Sequence, residues 1–258
     1  MRANRIKTLW QQGKAPAVAW LSTADTYVAE IVANAGFDAL VLDMQHGMAI
    51  GPERAGFWLQ AVSTTEAVPI VRVPWNEPVF IQWVLDAGAY GVIIPLVNTR
   101  EEAARAVGAC RYPPAGYRSV GPNRARFYGG PDYISRVNEE IVCLVMVEDI
   151  RTVAQVGELA EVPGIDGFYV GPADLAMSMG LPPAAYPQSA AHAEACRHVL
   201  EVATGRNLVA GIHCGSAEEA LRRGAEGFLF CPAINDANAL STAARAALRT
   251  LRATSDTG

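Results

Sequence analysis

Six polar residues stand inside or directly after short apolar runs: Asp43 and His46 after 39–42, Arg72 within 70–73, Glu148 after 142–147, Asp174 shortly after 167–170, and His213 after 208–212. The two carboxylates Glu148 and Asp174, with no cysteine or histidine beside them in sequence, make a hard oxygen donor set suited to Mg2+ or Mn2+, waters filling the remaining positions. A 2-oxo acid chelated to such an ion through its keto and carboxylate oxygens would lose a methyl proton to a stabilised enolate. Arg72 would stabilise the same developing oxygen charge. The turn Gly171-Pro172-Ala173-Asp174 leads into a helical stretch whose first free N–H groups suit a carboxylate. His46, three residues after Asp43, would be oriented by it and move the proton, directly or through a water.

Each residue alone has a plainer reading. Arg72 would form an ion pair across the barrel mouth, Glu148 and Asp174 would cap helices, and a lone histidine such as His213 is more often structural than catalytic. Together at one place they would be a costly cluster of desolvated charge unless a cation and an anionic ligand completed it.

The elements that must bring them together are legible as repeated strand, turn and helix. Eight apolar runs (18–21, 39–42, 70–73, 92–95, 142–147, 167–170, 208–212 and 227–230) alternate with helical stretches such as 26–35, 78–87, 99–110, 191–204 and 217–223. Glycines 36, 88 and 224 stand where helix C-caps precede the next strand. This pattern predicts an α/β fold, a (β/α)8 TIM barrel with its chemistry at the C-terminal ends of the strands. With 258 residues, a single domain spanning 1–258 is expected. Neither GxGxxG nor GxxxxGK[ST] occurs, which removes the common dinucleotide and P-loop alternatives. Residues 111–138 interrupt the rhythm and are expected to form a functional or interface loop.

Composition narrows the function. The net charge of −5 and the lack of a basic stripe give nucleic acid and anionic membranes no electrostatic footing. The N-terminus lacks an apolar core of signal-peptide length and no run is long enough to span a membrane, so a cytoplasmic protein is expected. The five cysteines follow no CxxC spacing and read as small buried hydrophobes. Only Lys7 and Lys14 occur, both upstream of the first strand, so a Schiff-base lysine inside the barrel is excluded.

On Ala35-Gly36-Phe37-Asp38, Asp43-Met44-Gln45-His46-Gly47, Val71-Arg72-Val73-Pro74, Leu85-Asp86-Ala87-Gly88-Ala89, Tyr112-Pro113-Pro114-Ala115-Gly116-Tyr117-Arg118 and Tyr169-Val170-Gly171-Pro172-Ala173-Asp174-Leu175, the chain resembles the HpcH/HpaI family of class II pyruvate aldolases, which includes 4-hydroxy-2-oxoheptanedioate aldolases. The resemblance runs over roughly residues 4–250. It implies reversible aldol addition of pyruvate to an aldehyde through a metal-stabilised enolate, with Mg2+ or Mn2+ as cofactor and Co2+ as a further candidate. It further implies Glu148 and Asp174 as metal ligands, Arg72 as the contact to the pyruvyl oxygen, His46 with Asp43 as the acid/base pair, and Asp86 as another acid near the site. Backbone contacts from Ala173 and Asp174 to the carboxylate are implied too, as is a homo-hexamer of dimers exchanging a C-terminal helix. Trp20, at the end of the first strand, is a candidate pocket wall. One departure is Met146, where many relatives have Gln, which predicts a more apolar wall. The competing readings are a malyl- or citryl-CoA-type lyase on the same barrel, for which no basic CoA-binding segment is visible, and a non-catalytic binding or scaffold barrel.

Overall fold

Strands in this protein are short runs rich in Val, Ile and Leu, nearly all buried, as expected where a parallel sheet is covered by helices on one side and filled by its own side chains on the other. The computed structural model describes residues 1–48, 51–182 and 186–255. The strands are β1 Val18–Leu21, β2 Ala39–Asp43, β3 Val68–Arg72, β4 Gly91–Ile94, β5 Val142–Val147, β6 Gly167–Val170, β7 Val209–Ile212 and β8 Pro232–Asn235. The helices are α1 Arg5–Gln11, α2 Thr26–Asn34, α3 Pro52–Val62, α4 Pro78–Asp86, α5 Arg100–Cys110, α6 Ala125–Gly129, α7 Tyr133–Glu140, α8 Ile150–Leu159, α9 Pro172–Ser178, α10 Ala190–Gly205, α11 Ala217–Glu226 and α12 Asp236–Ser255.

All strand pairs are parallel, in the order β7-β6-β5-β4-β3-β2-β1-β8. The sheet curls so that the segment leading into β8 reaches β7: Phe230 bridges Gly211, and Leu229 N–H donates to the Ala210 carbonyl at 2.8 Å. The arrangement is TIM-barrel-like. Seven strands fall within two residues of their expected positions. The eighth does not, because the run expected at 227–230 is divided between partners. Residues 229–230 pair with β7, whereas Pro232–Asn235 pair with β1. Its displacement begins one helix earlier. Gly224 lies inside α11, with open space around it, and the left-handed cap is Gly227 at φ 114°.

Residues 111–138, expected as a functional or interface loop, are partly helical and lie away from the mouth. The segment follows a helix and precedes β5, so it lies at the N-terminal ends of the strands, opposite the mouth, and holds α6 and the larger part of α7. Its Arg111 guanidinium donates to the carbonyls of Ile141 and Gly164 and to Asp166, tying the β5 and β6 entrances together. Lys7 meets Asp166 at 2.7 Å on this same face, so its amine is held away from the mouth. All five cysteines are buried. Among the described residues no helix is long and apolar enough to cross a membrane.

Candidate active site

The C-terminal ends of the strands surround a cavity of about 340 Å3. Its floor follows from register. Trp20 pairs with Val41 and Asn235, Met146 with Tyr169, and Asp43 with Arg72, so strand alternation turns these side chains inward at successive heights. The Trp20 and Tyr169 rings stack at 5.6 Å. Gly211 makes room for this floor, since a Cβ there would lie 2.8 Å from the Tyr169 ring and from the Phe230 carbonyl oxygen. A larger hollow of about 1000 Å3 opens at the opposite face beside Lys7, Trp10 and Asp166, but it holds none of the strand-end residues.

Above the floor, Arg72 and Asp43 form a side-on pair: Nε donates to Oδ1 at 2.9 Å and Nη2 to Oδ2 at 2.5 Å. Two parallel bonds of this kind fix the guanidinium plane, and the Trp20 ring lies 4.9 Å beneath it. Nη1 takes no part in the pair. Burial opposes ionisation of Asp43, but the hydrogen bonds and charge of Arg72, with the His46 N–H and Trp20, hold its pKa below the ordinary value. Asp43 Oδ1 also accepts the backbone N–H groups of Gln45 and His46, each at 3.1 Å, and Oδ2 the Trp20 indole at 3.3 Å. Asp43 therefore grips the His46 backbone and the Arg72 side chain. The expected Asp43 to imidazole pairing is not among its hydrogen bonds, and the His46 ring stands exposed at the cavity rim.

Glu148 follows β5 and is 6% exposed. One carboxylate oxygen accepts the Leu96 N–H at 2.6 Å, an arrangement for which Leu96 adopts φ 56°, a conformation side chains seldom take. The other oxygen lies 3.2 Å from where a Cβ on Gly171 would stand, so a larger residue in that turn would crowd the carboxylate. Burial raises the pKa of Glu148, and the nearby charge of Asp174 raises it further, against the pull of Leu96 and Arg72. Asp174 sits in the first turn of α9, exposed on the cavity wall next to Ala173. A buried carboxylate within electrostatic reach of a second one and of an arginine already committed to Asp43 fits a divalent cation with open positions for water and substrate.

His213 joins the wall. Its Nδ1 is 3.0 Å from the Tyr169 hydroxyl and its ring packs edge-on against Trp20 at 4.7 Å. Burial, then the positive charge of Arg72, pulls its pKa down to about 4, so the ring is neutral near pH 7. Met146 lines the cavity as the apolar wall its side chain predicts.

Asp86 is not brought to this site. The nine residues of α4 descend from the end of β3, about 13 Å at 1.5 Å per residue, and Asp86 is the last of them. It lies at the entrance to β4, bonded to the buried Arg118 at 2.7 Å. Sequence reasoning also passed over Ser22, Tyr169, Tyr186, Glu219 and Asn235, which line the cavity. Tyr169 was recoverable from strand alternation, two residues before Gly171. Nothing in the local sequence marks Tyr186.

Comparison with known proteins places the chain in a family. The HpcH/HpaI aldolase/citrate lyase family profile matches residues 17–227. The chain is 39% identical over 250 residues to a hydroxypyruvate/pyruvate aldolase of Rhizorhabdus wittichii, covering 97% of this chain and 99% of the relative. It is 39% identical over 180 residues to a 4-hydroxy-2-oxo-heptane-1,7-dioate aldolase of Salmonella dublin, covering 69% and 68%. A crystal structure of an HpcH/HpaI aldolase/citrate lyase family protein from Burkholderia cenocepacia superposes with a TM-score of 0.89 at 31% identity, over 97% of this chain and 100% of that one. Matched over most of its length by profile, sequence and fold, the chain belongs to the HpcH/HpaI aldolase/citrate lyase family.

Proposed function

We propose that the protein, acting as a single barrel domain, is a class II aldolase that adds pyruvate reversibly to an aldehyde to give a 4-hydroxy-2-oxo acid. The observation that carries this reading is the buried Glu148 beside Asp174, next to an arginine held rigid by Asp43, in a mouth that no lysine reaches. Glu148 and Asp174 hold the divalent ion. When bound, Mg2+ or Mn2+, with Co2+ as a further candidate, supplies Lewis-acid polarisation of the 2-oxo group. Arg72 donates from the edge left free by Asp43 to the pyruvyl oxygen as it gains charge. Pro172 has no N–H and Gly171 makes no side-chain cap, so the Ala173 and Asp174 N–H groups remain to take the pyruvate carboxylate. Trp20 and Met146 keep water from the reacting face, and His46 transfers the proton. A cavity of about 340 Å3 suits pyruvate with a small aldehyde, and a CoA thioester would lie largely outside it.

The test is twofold. Pyruvate methyl protons should exchange with deuterated water in the presence of the protein and Mn2+, and a panel of aldehydes with pyruvate should yield 4-hydroxy-2-oxo acids. Metal binding without any exchange would point to a non-catalytic barrel. Arg72→Lys should lose nearly as much turnover as Arg72→Ala, about 10²–10³-fold. A point charge on a flexible stem replaces neither the side-on pair with Asp43 nor the planar donor edge. Recovery of activity by Lys would reduce Arg72 to a source of charge.

The assembly belongs to the same proposal. α12, 20 residues long, begins with Asp236 bonded to the Ser22 and Thr23 N–H groups and exposes most of its side chains between residues 237 and 253, Leu240 at 73%. Such a helix suits exchange between two chains of a dimer, three dimers forming a hexamer. Light scattering on a chain ending at Asn235 should give a smaller assembly than the full chain; equal masses would refute the exchange.

A further inference from the structure

His192 is buried in α10, 1% exposed, and the chemistry described above does not use it. Its Nε2 lies 2.8 Å from the carbonyl oxygen of Pro172. A carbonyl cannot donate, so Nε2 carries the proton and the imidazole is the donor. The ring is itself fixed: Ser189 caps α10 through the His192 N–H, Cys196 Sγ stands 3.9 Å from Nδ1, and the Tyr186 ring packs at 4.9 Å.

The Pro172 carbonyl belongs to the peptide that joins Pro172 to Ala173. That peptide is planar, so anchoring its oxygen also fixes the direction of the Ala173 N–H on its other side and the start of the Asp174 backbone. The opposite flank of the turn is held by the Gly171 N–H donating to Val147 at 3.1 Å, and by the close approach of Gly171 to Met146 and Glu148. The turn is thus clamped between β5 and α10. We infer that His192 is a positioning residue, whose hydrogen bond to Pro172 aims Asp174 and the Ala173 N–H at the space in front of Glu148. The inference rests on the reading of Asp174 as a metal ligand. Groups that orient metal ligands from behind contribute about 10–100-fold to metal affinity when removed.

The test compares His192→Phe, which fills the space without a donor, with His192→Gln, whose amide can still reach the carbonyl. Mn2+ affinity is read by calorimetry without substrate, and pyruvate KM and kcat are read separately. H192F should bind Mn2+ about 10–100-fold more weakly and raise pyruvate KM more than it lowers kcat. H192Q should stay within about threefold of wild type on both measures. A folded H192F with wild-type Mn2+ affinity, or equal losses in both variants, would overturn the inference. Should H192F fail to fold, H192N, whose amide is too short to reach Pro172, must bind Mn2+ more weakly than H192Q. Asp174→Asn separates the two levels of the argument. If it binds Mn2+ normally, the ligand reading fails and takes the role of His192 with it; if it loses Mn2+ while H192F does not, the positioning role alone is wrong.

Discussion

Glu148→Gln should lower affinity for Mn2+ by at least about 100-fold, more than removal of a supporting group costs, and should remove nearly all aldol activity at ordinary metal concentrations. The change deletes one of two anionic oxygen donors yet leaves an acceptor for the Leu96 N–H, so the local backbone has little reason to move. Asp174→Asn should act in the same direction. In wild type, EDTA should abolish activity and Mg2+, Mn2+ or Co2+ should restore it, while borohydride with pyruvate adds no mass, because Lys7 is held at the opposite face by Asp166. The same substitution should stabilise the metal-free protein. Burial raises the pKa of Glu148 above its ordinary value of 4.5, so the fold favours the protonated carboxyl. The stability this contributes is complete below pH 4.5 and is lost as pH rises through the raised value. Gln imitates the protonated form, so metal-free E148Q should melt above metal-free wild type at pH 7, by about 2–4 °C per kcal/mol recovered, and the two should converge in acid. Metal affinity of wild type should fall as pH drops through the same range, since the proton competes with the ion. Full activity after exhaustive metal removal, or unchanged Mn2+ affinity in E148Q, would defeat the class II reading.

What the sequence revealed and what it hid divide along a physical line. Strand positions were legible because each buried run is bounded by a helix cap and a turn, and these are local signals. The eighth strand was not, because its pairing changes partner between residues 230 and 232, a fact of barrel closure that no local pattern records. The choice between Gly224 and Gly227 as helix cap is of the same kind, since both glycines suit the end of α11 and only the structure puts the left-handed φ at the second. The cluster at the mouth was legible through strand ends. Asp86 stands apart from that cluster within the chain, because its place at the C-terminus of α4 sets it at the far face of the barrel, and a match to a motif does not record which end of a helix its acid occupies. The bond between His192 and Pro172 joins residues 20 apart in sequence, and nothing near His192 announces it.

His46→Ala should lose about 10²–10⁴-fold in aldol turnover, the usual worth of a positioned acid/base group, while Mn2+ and pyruvate affinities change little. The separation is expected because the His46 ring stands exposed on the rim of the cavity and takes no part in the hydrogen bonds between Asp43 and Arg72. Its backbone is placed by Asp43, whose Oδ1 takes the N–H groups of residues 45 and 46 in a tight turn after β2, so truncating the ring should leave the turn standing. Asp43→Asn supplies the contrast. An amide presents one acceptor where the carboxylate presents two, so this variant should loosen both the turn and the guanidinium plane of Arg72. Pyruvate KM should therefore rise in D43N along with the loss of kcat, whereas in H46A kcat should fall alone. Equal effects of the two variants on KM would mean that His46 serves binding, and wild-type turnover in H46A would take the histidine out of the mechanism and leave proton transfer to water within the cavity.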